Sequence, residues 1–137
     1  VVIVMSGDSD YLALEKYIQI VGKKPFRELP KYINASDVLV VPSVWMEAFG
    51  QVTIEGMSCG VPVITSDAGA SSEINIDGVT GIVVPAKDIK KLVHAIIEIL
   101  SHDHERLRMG EAARQRVLSN YTYSAIIKKF LEIIKEA

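Results

Sequence analysis

Cysteine is nearly missing from this sequence, because Cys59 is the only one among 137 residues. No disulfide can therefore form within the chain, and an oxidising compartment is neither required nor excluded. Cys59 precedes a glycine at the end of an apolar, helix-like segment. We interpret it as a small buried hydrophobe and not as a nucleophile.

Histidine is also scarce, and two of the three histidines stand in the triplet His102-Asp103-His104. The triplet is similar to a metal-binding pair, but it lacks partners at the spacing that is usual for zinc ligands. We therefore predict that it is a polar hinge between two helices, and we predict no metal site. His94 is interpreted as a residue on the polar side of its helix.

A long basic run and a long hydrophobic run are both missing. The net charge of −2 gives no electrostatic reason to expect nucleic acid binding. The apolar stretch at 38–44 is much shorter than the roughly 20 residues of a membrane span, and the start has neither the basic lead nor the cleavage site of a signal peptide. We predict a soluble cytoplasmic protein without a transmembrane segment, and leave open a peripheral membrane association of the full-length protein.

The residues that are present fit one α/β domain. Hydrophobic residues make up 49% of the chain, which argues against disorder. Short runs rich in Val and Ile alternate with helical patterns, which favours a parallel sheet with helices on both faces. The predicted strands are 1–5, 17–21, 38–41, 62–65 and 81–84. The predicted helices between them are 10–16, 26–34, 50–59 and 71–76.

The last third, at about 89–136, is predicted to be helical throughout. The first helix has an apolar stripe at helical spacing, formed by Ile89, Leu92, Val93, Ile96, Ile97 and Leu100. A second helix is predicted at 104–119, and Thr122 is the predicted N-cap of a third.

Two glutamates, Glu47 and Glu55, bracket the segment in which a helix is predicted to begin. Gly50 and the residues after it fall at that helix start, where backbone N–H groups have no partners inside the helix. A phosphate would fit there. One carboxylate precedes this anion site and the other lies one to two turns into the helix, so the layout suits a nucleotide-sugar, which has hydroxyls on both sides of its phosphates.

Segment 43–64 closely resembles the E-x7-E region of the retaining glycosyltransferases of family 4, which have the GT-B fold of two Rossmann-like domains. Further matches lie at 35–43, 72–74, 77–81 and 84–85, so the resemblance covers nearly the whole chain. It implies the C-terminal, donor-binding domain. The implied reaction transfers a sugar from a nucleotide diphosphate-sugar to an acceptor hydroxyl with retained configuration, and it requires no metal or other cofactor.

The resemblance also implies roles for individual residues. Glu47 matches the catalytic glutamate that approaches the donor sugar and the charge developing at its anomeric carbon. Glu55 matches the glutamate that binds the ribose hydroxyls. Substrate-binding roles are expected for residues at the helix start and at two strand ends, which are Phe49, Gly50, Gln51, Val52, Gly7 and Ser43. The side-chain role of Gln51 is open, and the loop at 66–70 fits turn chemistry and ligand contact equally well.

The sequence is expected to differ from the family in one large respect. Compared with the family, it begins inside the donor domain, after that domain's usual first strand and helix. The acceptor domain, the donor domain's first strand and helix, and the basic residues that usually clamp the diphosphate would be missing. We therefore expect a fragment that binds nucleotide weakly and transfers no sugar alone. The absent strand would leave two sheet edges exposed, for which a homodimer or strand exchange is one remedy.

Three other functions are weighed against sugar transfer. A retaining hydrolase also uses two carboxylates, but its pair must flank one bond, whereas these glutamates lie on either side of an anion site. A non-catalytic Rossmann-like or flavodoxin-like module that binds nucleotide or regulates stays open. So does a nucleotide-sugar epimerase domain.

Overall fold

The computed structural model describes residues 2–4 and 18–136 of the chain. The strands of this part are β1 (Val2–Val4), β2 (Ile18–Ile20), β3 (Leu39–Val41), β4 (Val63–Ser66) and β5 (Gly81–Val84). The helices are α1 (Leu29–Asn34), α2 (Gln51–Ser58), α3 (Ser71–Ile74), α4 (Ile89–Ser101), α5 (Asp103–Asn120) and α6 (Tyr123–Glu136), and a short 3-10 helix (Phe26–Glu28) precedes α1. The predicted helix at 10–16 lies outside the described residues.

All pairings between the described strands are parallel, as predicted. β1 pairs with β2, with Val2 opposite Ile18, and a second sheet has the order β3-β4-β5, with Val63 opposite both Leu39 and Gly81. Within residues 2–4 and 18–136, no strand joins the two sheets. The sequence predicted that an absent strand leaves sheet edges exposed, and among the described strands β3 pairs with β4 alone.

Strand β4 lies at the centre of the larger sheet, and all four of its residues are buried. Successive side chains of a strand point to opposite faces, so Val63 and Ile64 enter different parts of the core. Val63 packs with Met57 of α2 and with Ala113 and Val117 of α5. Ile64 packs with Ala95 and Ile99 of α4. This arrangement confirms the predicted Rossmann-like sheet with helices on both faces.

Asn75 joins the end of α3 to the two strands beside it. Its amide donates to the carbonyl oxygen of Val63 at 2.9 Å, to the hydroxyl of Thr65 at 3.1 Å and to the carbonyl oxygen of Ile82 at 3.2 Å. Its own carbonyl oxygen accepts from the Thr80 hydroxyl at 2.8 Å. Because Asn75 is fully buried and satisfied at both ends, it fixes α3 against β4 and β5.

The predicted apolar stripe of α4 was wrong in part. The face that packs on the sheet is centred on Ala95 and Ile99, with Leu92 and Ile96 beside them. The other four members of the predicted stripe are exposed, namely Ile89, Val93, Ile97 and Leu100. The helix is apolar over more than one face, and its small residue Ala95 is buried against the sheet, which hydrophobic spacing alone does not reveal.

We predict that Asn75→Ala lowers the free energy of unfolding by about 2–3 kcal/mol, because it removes several buried hydrogen bonds and leaves their partners unsatisfied. Urea unfolding followed by circular dichroism measures this change. Asn34→Ala is the matched control, since Asn34 is exposed at the end of α1, and its effect should stay within about 0.5 kcal/mol. Equal losses in the two variants would contradict the role given to Asn75.

Candidate functional site

Helix α2 begins with a glycine that no other residue can replace without strain. Gly50 is the N-cap in the left-handed conformation, with φ of 70° and ψ of 38°. A Cβ atom added there would lie 2.6 Å from Cδ1 of Ile74 and 3.3 Å from Oγ of Ser71. The left-handed turn and the close packing against α3 therefore both require glycine at this position.

The first turn of α2 has three backbone N–H groups without a protein acceptor. The first amide to bond is that of Ile54, which donates to the carbonyl oxygen of Gly50 at 3.1 Å. In the part of the chain that the structure describes, the amides of Gln51, Val52 and Thr53 donate to no group, and Gly50 offers no side chain to cap them. Gln51 and Val52 are exposed whereas Thr53 is fully buried, so the amides of Gln51 and Val52 are the two that a ligand can reach. Anion binding by these two amides stays a prediction.

Glu47 is held by both its backbone and its side chain. Its carboxylate oxygen Oε2 accepts a hydrogen bond from the Ser71 hydroxyl at 2.9 Å, and its carbonyl oxygen accepts from the amide of Ala70 at 2.9 Å. The Ser71 hydroxyl is in turn 3.0 Å from that of Thr53 in the first turn of α2. Ser71 and Thr53 are both fully buried, while Glu47 is half-buried.

Glu55 is hydrogen-bonded to the same turn from a position further along α2. Its Oε1 accepts a hydrogen bond from Nε2 of Gln51 at 3.0 Å, and the side chain is half-buried. Residues four apart share one face of a helix, so Gln51 lies one turn above Glu55 on the side of the free amides. The sequence left the role of the Gln51 side chain open, and in the structure this side chain hydrogen-bonds to Glu55. Both glutamates are thus connected to the first turn of α2.

The loop at 66–70 supports Glu47. Gly69 has a φ of 70°, and a Cβ atom there would overlap the backbone of Glu47. Oδ1 of Asp67 accepts a hydrogen bond from the backbone amide of Ala86 at 2.8 Å. The Ser66 hydroxyl donates to the carbonyl oxygen of Ser43 at 2.5 Å. These contacts among the described residues fit turn chemistry, which was one of the two predicted explanations of the loop, and ligand contact by the loop stays a prediction.

The remaining predicted site residues differ in how the structure places them. Phe49 is 62% exposed beside Gly50, so its ring is free to meet a ligand. Ser43 follows β3 and uses its carbonyl oxygen to hold Ser66. Gly7 lies outside the described residues. Sequence reasoning missed Ser71 and Thr53, whose only signal was the presence of small hydroxyl residues at the starts of two adjacent helices.

Among the described residues, the candidate site is an open surface and not an enclosed pocket. A cavity of about 130 Å³ lies nearby at the carboxyl ends of β3, β4 and β5, where Pro42, Ser66 and Val84 contribute to its walls. Neither glutamate lines it. Because the free amides, Glu47 and Glu55 meet outside this cavity, we place the candidate site at the head of α2.

Cys59 and His102, which were also considered for chemistry, have surroundings that suit structural roles. Cys59 caps the end of α2 and is half-buried, and burial raises the pKa of its thiol, which disfavours the reactive thiolate. His102 lies between α4 and α5, as predicted for a hinge, and its Nδ1 donates to the carbonyl oxygen of Glu98 at 2.9 Å. The described residues hold no group of three or more His, Cys, Asp or Glu that could bind a metal ion.

The described helices include none with both the length and the apolar character needed to cross a membrane.

Comparison with known proteins finds a matching family model and similar sequences. Residues 7–116 match the family model for glycosyl transferases group 1. The chain is 30% identical over 126 residues to the D-inositol 3-phosphate glycosyltransferase of Corynebacterium diphtheriae, which covers 92% of this chain and 29% of that protein. It spans about a third of the length of the curated relatives it matches.

Solved structures agree on the fold. Sucrose-phosphate synthase from Thermosynechococcus elongatus superposes with a TM-score of 0.83 at 29% identity, over 98% of this chain and 37% of that one. The Anabaena protein HepE, solved in complex with UDP, gives a TM-score of 0.83 at 23% identity, over 92% and 34% of the two chains. The fold is the Rossmann-like fold of the C-terminal domains of GT-B glycosyltransferases.

We predict that Gly69→Ala destabilises the protein by about 2–4 kcal/mol. The left-handed backbone costs about 1 kcal/mol with a Cβ atom, and overlap with the backbone of Glu47 adds the cost of overpacking, about 1–3 kcal/mol. Gly78→Ala is the matched control, because Gly78 has a φ of 69° but open space around it, so only the first cost applies. Denaturant unfolding compares the two. If Gly69→Ala were no worse than Gly78→Ala, Glu47 would not be packed against this loop.

Proposed function

Since this chain belongs to the glycosyl transferases group 1 family, we propose that it is the donor-binding domain of a retaining glycosyltransferase of family 4. In this proposal the full-length enzyme moves a hexose from a nucleotide diphosphate-sugar to an acceptor hydroxyl. The observation that carries the proposal is the pair of exposed free amides at the head of α2, with a glutamate connected to that turn from each side.

The free amides bind the diphosphate of the donor. The amides of Gln51 and Val52 supply hydrogen-bond donors, and the positive end of the helix dipole adds to their attraction for an anion. The same donors stabilise the diphosphate as it leaves, which is preorganised electrostatic catalysis without a metal ion. The structures of HepE with UDP and with UDP-glucose support a donor of this chemical class.

Glu55 binds the ribose of the nucleotide. A carboxylate has about four acceptor positions, and Gln51 uses one of them on Oε1. The remaining positions suit the vicinal 2′- and 3′-hydroxyls of ribose. In this role Gln51 orients the carboxylate, and its backbone amide binds phosphate in the same turn.

Glu47 acts at the sugar end of the donor. Ser71 uses one acceptor position of Oε2, so the rest of the carboxylate, including Oε1, is left for sugar hydroxyls and for the positive charge that develops at the anomeric carbon. Phe49 and Gly50 let the backbone approach the sugar closely, because Gly50 has no side chain. Ser43, which follows β3, adds a substrate contact, and the substrate-binding role expected of Gly7 from the sequence stays a prediction.

The open surface of the site has a consequence for activity. Sugar transfer needs exclusion of water, and Phe49 and Val52 are exposed on this chain at 62% and 42%. In our proposal the acceptor-side domain of the full-length cytoplasmic protein covers this surface. The chain by itself then binds nucleotide weakly and transfers no sugar.

We predict that Glu55→Gln weakens binding of the best ligand in a panel of UDP, GDP, UDP-glucose and GDP-mannose by roughly 10- to 100-fold. Gln retains the acceptor for Gln51 but loses one charge-assisted bond to the ribose diol, because its Nε2 group cannot accept, and such a bond is worth about 1.5–3 kcal/mol. Isothermal titration calorimetry measures the affinities.

Glu111→Gln is the matched control, because Glu111 is an exposed helical glutamate that accepts from Gln115 at 2.9 Å with the same spacing of four residues. It should bind like the wild type. Failure of the wild type to bind any of the four compounds, or equal binding by Glu55→Gln, would refute the donor site and favour a non-catalytic module.

A further inference from the structure

A chain of three hydrogen-bonded side chains connects Glu47 to the first turn of α2. The Ser71 hydroxyl donates to Oε2 of Glu47 at 2.9 Å, and the hydroxyls of Ser71 and Thr53 are 3.0 Å apart. Ser71 opens α3 and Thr53 is the third residue of α2, so the contact crosses between two helices. Neither hydroxyl reaches solvent, because both residues are fully buried.

The direction of the protons along this chain follows from their number. A serine hydroxyl has one proton, and that of Ser71 is donated to Glu47. The bond between the two hydroxyls must then be donated by Thr53. Each proton has one acceptor, so the hydrogen bonds have one direction of donation, from Thr53 to Ser71 and from Ser71 to the carboxylate.

Thr53 belongs to the same helical turn as the two exposed free amides. Its hydroxyl starts the hydrogen-bonded chain that ends on Glu47, and it directly follows Gln51 and Val52, whose amides are exposed and free. The carboxylate of Glu47 is therefore fixed in position relative to the amides that would hold the diphosphate. In a nucleotide diphosphate-sugar, the distance between phosphate and sugar is fixed by covalent bonds, so a fixed offset between the two sets of protein groups favours binding.

We propose that Ser71 and Thr53 are positioning residues that hold the carboxylate of Glu47 for the sugar of the donor. This inference rests on the proposed function. Ser71 and Thr53 act through Glu47, so they improve the binding of a nucleotide-sugar without improving the binding of the nucleotide diphosphate alone. Two buried hydroxyls that merely satisfied each other would affect stability and leave this selectivity unchanged.

The test compares UDP with UDP-glucose, and GDP with GDP-mannose, by calorimetry on the wild type and on Ser71→Ala and Thr53→Val. Each variant should weaken the nucleotide-sugar about fivefold, as expected for one lost hydrogen bond, and leave the nucleotide diphosphate within about twofold. Thr53→Ser keeps the hydroxyl and should restore the wild-type ratio. Thr53→Val nearly preserves the side-chain volume, so it tests the hydrogen-bonded link from Thr53 to Glu47 even if Ser71→Ala does not fold.

Thr65→Val controls for the loss of a buried hydroxyl elsewhere, since Asn75 keeps two other acceptors when the Thr65 hydroxyl is removed. It should not change the ratio of the two affinities. If the wild type binds both ligands of a pair and the variants lower both equally or neither, the positioning role is refuted while the donor site stands. If the wild type binds no nucleotide, the donor site itself is refuted and this proposal falls with it.

Discussion

The left-handed turn at Gly50 is the constraint on which the site depends. It ends the loop after β3 and starts α2 with no side-chain cap, so the first amides of the helix are left for an external acceptor. An Asn or Ser N-cap would have satisfied one of these amides and filled the space in front of them. Glycine keeps the space empty, and its missing side chain lets Ile74 and Ser71 pack against the turn.

The sheet positions this turn relative to its neighbours. β3 leads into the loop of Glu47, β4 leads into the loop that supports it, and Asn75 fixes α3 against β4 and β5. The two glutamates therefore reach the head of α2 from different elements, Glu55 from within the helix and Glu47 through α3. Rigid placement of both carboxylates relative to one set of amides is what distinguishes a nucleotide-sugar site from a helix start of ordinary composition.

Sequence reasoning reached the fold and the head of α2 because both depend on local signals. Runs of Val and Ile between helical patterns predict β3, β4 and β5, and a glycine at a helix start predicts free amides. The link from Ser71 to Thr53 was not predicted, because it joins residues 18 positions apart and depends on how α3 packs against α2. The packed face of α4 was misplaced for a similar reason, since only the sheet decides which of its apolar faces is buried.

The most direct measurement of the central claim is a titration of the ¹⁵N-labelled protein with inorganic pyrophosphate, followed by amide chemical shifts. The account predicts that the amides of Gln51 and Val52 shift most, because they are the exposed free donors at the head of α2. Shifts centred elsewhere, or no shift at these two amides at saturating pyrophosphate, would contradict it.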